Sequence, residues 1–246
     1  KLDGVAFNRR VAVTAAMTQR TDRLLGTISV ASLCGFGLFL VAIALARRRH
    51  RLAVAVAVAI GGAVATTELL KLELLTRPQL GDYGGVGHNT YPSGHATIGM
   101  ALSLGLVMVV PRRLGRTATV VAALTSAGFG TAVLSSGWHR PSDTIGAYLV
   151  CLAWFSAAAA AMDRYDALRS DPLPVDTRAS RALQAVAWTG VALVLAFVLR
   201  KSIGVTGLRT VVFAAPYVAA CIGIDLTGVA VVGVFYVVHR SRFGGR

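Results

Sequence analysis

"LAVAVAVAIGGAVATTELLKLELL" runs from Leu52 to Leu75 and carries no charge before Glu68. The hydrocarbon core of a bilayer needs about 20 apolar residues to cross it. A run of this kind crosses only as a helix, because in lipid the backbone must satisfy its own hydrogen bonds. Comparable runs lie near 24–46, 95–111, 117–138, 143–162, 185–199 and 210–238. The expected fold is therefore all-α, a polytopic transmembrane helix bundle of about seven spans. The runs at 95–111 and 185–199 are short for the task, and the last contains Pro216.

Composition agrees. The 246 residues are 55% hydrophobic and 15% charged, with a mean hydropathy of +0.64. Soluble domains carry about 25% charged residues. The net charge is +14, which in a soluble chain would raise the question of nucleic acid. Here the charges sit between spans. Arg47, Arg48, Arg49 and Arg51 form one cluster, and Arg112, Arg113 and Arg116 a second. Arg164, Arg169, Arg178 and Arg181 form a third, and Arg240, Arg242 and Arg246 a fourth. Strict alternation of spans places all four on one side, the cytoplasmic side by the positive-inside rule. Anionic membrane lipids would hold them there. No nucleic-acid partner is expected.

The other side then receives residues 1–23 and the loops 76–94, 139–142 and 200–209. Residues 5–25 read as an amphipathic surface helix, with Val5, Val11, Val13, Met17 and Leu24 set against Arg9, Arg10, Arg20 and Arg23; a frayed tail is the alternative. An outside N-terminus starting at Lys1 is unexpected, and leaves open an earlier span before it or a processed first segment. Cys34, Cys151 and Cys221 each fall within a span and have no CxxC partner, so three buried, unreactive thiols are expected. Residues 163–184, with two prolines and mixed charge, read as a cytoplasmic linker. It separates a five-span block, 24–162, from a two-span hairpin and basic tail, 185–246.

Three polar islands fall on the non-cytoplasmic side. The first, "KLELLTRP" (Lys71–Pro78), ends the second span, since Pro78 forces Arg77 out of helical geometry. Lys71 and Arg77 do not share a face of a straight helix, and unwinding before Arg77 would let both cations converge. Snorkelling to the interface is the plainer account of both. Glu68, one turn earlier, can neutralise Lys71. The second island, "YPSGHAT" (Tyr91–Thr97), opens the third span. Pro92, Ser93 and Gly94 suit a helix N-terminus, where free N–H groups and the dipole favour a phosphate oxyanion. His95 follows as a proton donor, or as an incidental interfacial residue.

The third island is "SSGWHRPSD" (Ser135–Asp143). Pro141 and Ser142 suggest a helix start, which leaves His139 and Asp143 one turn apart. A carboxylate on one ring nitrogen fixes the tautomer and frees the other as nucleophile or base. A charged pair anchoring a helix end is the alternative. Together the islands bring cations, a helix N-terminus, two imidazoles and a carboxylate to one face. That is equipment for phosphoryl transfer: nucleophile, acid and charge clamp.

On these residues the chain resembles the type 2 phosphatidic acid phosphatase (lipid phosphate phosphatase) superfamily. That family has a Lys and Arg-Pro pair, a Pro-Ser-Gly-His block and a Ser-Arg…His…Asp block. Pro92-Ser93-Gly94-His95 matches the second in full, and His139 and Asp143 match the third. The resemblance spans roughly 24–162, making that block a five-span phosphatase core. It implies His139 as the nucleophile, Asp143 as its orienting group and His95 as the acid. Ser93 and Gly94 would bind phosphate oxygens, and Lys71 and Arg77 would neutralise them. It implies no metal and no cofactor, and the spacing contains no HExxH-type ligand set.

The chain departs from the family pattern twice. Five residues, not six, separate Lys71 from Arg77. The family's third-motif Arg falls at Val133 and its Ser at Ala132, leaving Arg140 as the candidate phosphate clamp. The expected protein is an integral membrane hydrolase of a lipid phosphate or pyrophosphate. Its substrates would be of the phosphatidic acid, phosphatidylglycerol phosphate or polyprenyl phosphate class. It would lie in the cell membrane with its site on the extracytoplasmic face. The rivals are a lipid phosphotransferase, a non-catalytic lipid-phosphate scaffold, and a transporter built on Asp225, an acid inside the last span. Association into a homo-oligomer is left open. Gln79–Thr90 would form a Gly-rich rim, with His88 and Asn89 near the substrate. Gly61, Gly62, Gly128 and Gly130 would allow close helix packing.

Overall fold

The computed structural model describes residues 2–9, 30–76, 89–111, 114–167 and 208–242. Every regular element among them is helical: α1 (Leu2–Arg9), α2 (Val30–Ala46), α3 (His50–Leu69), α4 (Gly94–Val109), α5 (Gly115–Ser135), α6 (Pro141–Ala167) and α7 (Leu208–Arg242). Helix α3 continues as a π-helical turn, Leu70–Leu74, and then breaks into extended backbone at Leu75. Arg77 and the rim from 79 to 88 lie outside the described residues, as do the span expected at 185–199 and the linker beyond Ala167.

Among the described residues, four helical stretches are long and apolar enough to cross a membrane: His50–Leu74, Gly115–Ser135, Pro141–Met162 and Ala215–His239. Helix α7 runs through Pro216 without ending there. Helix α4 has 16 residues, about 24 Å at 1.5 Å per residue. It is nonetheless the centre of the bundle. It packs against α2, α3, α5 and α6, and Met100, Leu104 and Val107 are almost wholly buried. A helix apolar all round belongs in such a place. Around it α3 packs on α6, and α7 packs on α5 and α6.

Small residues set the helix spacing at specific crossings. A Cβ on Gly62 would meet the Trp154 ring at 2.6 Å, and one on Gly99 would meet Phe129 at 2.7 Å. Gly130 is closed in by Ile224, Tyr148 and Thr144. Gly61 and Gly128, expected to act likewise, have no neighbour within 4 Å. Cys34 also departs from expectation. It is exposed on the outside of the bundle, whereas Cys151 and Cys221 are buried free thiols. In both cases lipid-facing and core-facing positions are equally apolar, so hydropathy does not separate them.

The cluster Arg47–Arg51 sits at one end of the bundle, where α4 ends and α5, with Arg116 in its first turn, begins. The Arg47 guanidinium donates to the carbonyl of Val109 at the far end of α4, joining the α2–α3 turn to the α4–α5 turn. The three polar islands gather at the opposite end, where α4 begins.

The N-terminal helix is docked rather than lying free on a surface. Within its described residues, Ala6 and Phe7 are buried, and α1 packs on α7 and touches α6. The carboxylate of Asp3 accepts from the N–H (3.0 Å) and hydroxyl (2.8 Å) of Ser142, capping the start of α6. Asp225 bonds across helices: the hydroxyl of Thr131 donates to it at 2.7 Å. Thr227, two residues further on, donates to the Gly223 carbonyl.

Candidate active site

Each of the described islands occupies a helix end, and each end is shaped by a local rule. The third is a Schellman turn. Gly137 takes φ 70, the left-handed conformation that costs other residues a steric penalty. The Gly137 N–H donates to Leu134 at 3.0 Å, and the Trp138 N–H donates to Val133 at 3.1 Å. The His139 N–H reaches the same Val133 carbonyl at 3.3 Å. The sequence Ser-Ser-Gly-Trp thus ends α5 and presents His139 in the gap before α6. Val133 fills the family's Arg position with a wholly buried side chain, but its carbonyl anchors the His139 backbone.

Asp143 lies in the first turn of α6 and is fully buried. Its Oδ2 accepts from the Thr90 hydroxyl at 2.6 Å and from the Arg140 N–H at 3.0 Å. The same oxygen is 3.4 Å from His139 Nδ1. The angle there falls short of a hydrogen bond, and Nδ1 is buried without one. The carboxylate therefore faces Nδ1 and leaves Nε2 as the outward nitrogen. Thr90 did not stand out in the sequence. A threonine in a loop, 53 positions from its partner, carries no local signal.

The second island is built as expected at its backbone and differently at Ser93. Ser93 is the N-cap of α4, and its hydroxyl accepts from the Ala96 N–H at 3.3 Å. Its own N–H donates to the Asp143 carbonyl at 3.0 Å. Ser93 is thus a fastener between the second and third islands, and its N–H is already spent. Gly94 and His95 are the first residues of the helix, where N–H groups lack an intrahelical carbonyl. The Tyr91 ring lies against Gly146 of α6 so closely that a Cβ there would come within 2.5 Å of it.

His95 meets Trp138 edge to face, with ring centroids 5.2 Å apart. It lies within electrostatic range of both His139 and Lys71. The two imidazoles and the lysine therefore converge. Lys71 stands on the π turn, and its Nζ donates to Glu68 Oε1 at 2.6 Å. A Cβ on Gly94 would lie 3.3 Å from that oxygen and 3.6 Å from Nζ. The π turn re-aims the chain just where the spacing to Arg77 is one residue short. Π turns of this sort recur at functional sites.

Asn89, expected near the substrate, is instead a clasp. Its amide donates to the carbonyls of Lys71 (3.2 Å), Leu75 (2.8 Å) and Tyr91 (3.3 Å), and its oxygen accepts from the Tyr91 N–H. It ties the end of the first island to the start of the second. One turn deeper, the hydroxyls of Thr67 and Thr97 meet at 2.9 Å and fix α3 to α4. Arg140 presents its guanidinium 6.0 Å from the centre of the Phe7 ring, so the candidate clamp is engaged with α1.

Lys71, Gly94, His95, His139 and Asp143 thus form one constellation: a cation and a helix start for an anion, and two imidazoles of which one is backed by a carboxylate. Residues 53–166 match the family model described as the PAP2 superfamily. That stretch holds all three islands and leaves α1, α2 and α7 outside. Comparison with curated proteins and with solved structures found no match.

Proposed function

Because residues 53–166 make this chain a member of the PAP2 superfamily, a group of phosphatases, we propose that it hydrolyses a lipid phosphate or pyrophosphate through a phosphohistidine. The observation that carries this reading is the pairing of two imidazoles beside a lysine and a helix N-terminus, with only one imidazole backed by a buried carboxylate.

Asp143 holds the proton of His139 on Nδ1, so the Nε2 lone pair attacks phosphorus. The phosphorus–oxygen bond to the leaving group breaks, and His95, whose protonated form the bound phosphate's negative charge supports, delivers its proton to that oxygen. His95, now neutral, takes a proton from water. The hydroxide so formed displaces phosphate from His139 and restores the free imidazole. Lys71 and the N–H groups of Gly94 and His95 face the developing charge on the equatorial oxygens. Arg77 belongs to the same clamp by resemblance, and Arg140 is its candidate supplement. A substrate anchored in the bilayer brings its headgroup to the end of the bundle where these residues meet.

The test is a panel of phosphatidic acid, phosphatidylglycerol phosphate and polyprenyl phosphates with the purified protein in mixed micelles, read by phosphate release. His139→Ala and His95→Ala should each abolish turnover. Radiolabelled lipid phosphate should leave an acid-labile label on wild type and none on His139→Ala. Transfer to an added alcohol in place of water would make the protein a phosphotransferase. Binding without either reaction would overturn the enzymatic reading.

A further inference from the structure

Resting on this phosphatase reading, we infer that Glu68 is a resident competitor for the phosphate cradle, pairing with Lys71 until phosphate binds and reclaiming it as phosphate leaves. Three observations carry this. First, the Lys71 ammonium donates to Glu68 at 2.6 Å, so the lysine of the first island is already paired. Second, the same carboxylate oxygen stands over the start of α4, 3.3 Å from where a Cβ on Gly94 would sit. Glu68 therefore occupies the space beside both a cation and a helix start, the two kinds of partner a phosphate oxygen takes. Third, the side chain of Glu68 is 46% exposed while that of Lys71 is 19% exposed. The acid is free to swing outward, and the lysine is not.

The surroundings favour exchange rather than a permanent pair. A small cleft lined by Thr67, Glu68, Gly94 and Thr97 opens between α3 and α4 at this point. The threonine pair below it keeps the two helices in register as Glu68 moves. A carboxylate and a phosphate dianion cannot both hold Lys71, since like charges a few Å apart repel. Binding therefore displaces Glu68, and its return expels the product.

Orthophosphate and orthovanadate binding to the purified protein, followed by calorimetry, tests this without turnover. Glu68→Gln keeps the shape and removes the charge. It should bind both anions about two- to tenfold more tightly than wild type. In a Lys71→Met background the same change should have little effect. Glu68→Ala should act in the same direction as Glu68→Gln. Unchanged or weaker binding by Glu68→Gln, or an undiminished effect without Lys71, overturns the inference. If wild type hydrolyses lipid phosphate but Glu68→Gln binds phosphate no more tightly, the inference alone fails. If anion binding responds as stated but no lipid is hydrolysed, the hydrolytic reading alone fails. If neither protein binds phosphate, both fall.

Discussion

Gly137 offers a sharp test of how the fold serves the site. Its φ of 70 is open to glycine, is tolerated by asparagine, and costs alanine about 1 kcal/mol or a little more. Valine, branched at Cβ, should cost about 1–3 kcal/mol there. As a stability loss, 1 kcal/mol corresponds to a shift of about 2–4 °C in a chain of this size. The catalytic effect should be larger. To relieve the strain the turn must reopen, and the N–H groups of Trp138 and His139 then lose the Val133 carbonyl. A displacement of about 1 Å at a reacting group can cost about 100-fold in rate. Gly137→Asn should therefore retain most activity, Gly137→Ala should lose about tenfold in kcat, and Gly137→Val about 100-fold. Thermal melts in detergent should fall by only a few degrees across the series. Steady-state phosphate release on the best substrate, with melts on the same preparations, measures both. Full activity in Gly137→Val would show that the turn does not aim His139.

Asp143→Asn should preserve the fold, because an amide oxygen can still accept from Thr90 and Arg140. It should lower kcat about 10- to 100-fold, the worth of one charge-assisted contact, with KM nearly unchanged; unaltered kcat would remove Asp143 from the mechanism. Gly146→Ala drives a methyl into the Tyr91 ring, so it should destabilise by about 1–3 kcal/mol and raise KM by disturbing the loop that leads into Ser93, as melts and substrate titrations would show. Tyr217→Phe removes a hydroxyl bonded to Ser135 at 2.7 Å across α5 and α7. It should cost about 1 kcal/mol of stability with kcat within about twofold, and a tenfold loss of kcat would make α7 part of the chemistry.

The spans were legible because lipid leaves a chain few choices. Leu52–Leu75 has to be helical, and it is as far as Leu69, continuing as a π turn to Leu74 before Leu75 becomes extended. The three islands were legible because histidine, aspartate and lysine are rare company beside such runs. What stayed hidden has other causes. The π turn changes hydrogen-bond register without changing composition, so "LKLEL" reads as plain helix. Thr90 and Asp3 act on Asp143 and Ser142 across 53 and 139 positions, and contacts at that range leave no local pattern. Ser93 reads as a phosphate ligand, yet its hydroxyl caps α4 and its N–H joins α6, since a cap and a ligand call for the same residue. Cys34, Gly61 and Gly128 reflect the blindness of hydropathy to which side of a helix meets lipid.

The brevity of α4 has a consequence for the substrate. At about 24 Å it falls about 6 Å short of a hydrocarbon core of about 30 Å. With its Val109 end held at one interface, His95 would begin below the opposite one. In the proposed reaction the phosphate and the hydrolytic water must then descend beneath the headgroup plane. Because α2, α3, α5 and α6 wrap α4, the shortfall leaves a polar recess inside the bundle and not a thinned bilayer around it. A lipid substrate would then lower its phosphate into that recess, which would favour headgroups narrow enough to enter between the helix ends, a selection that no single side chain supplies.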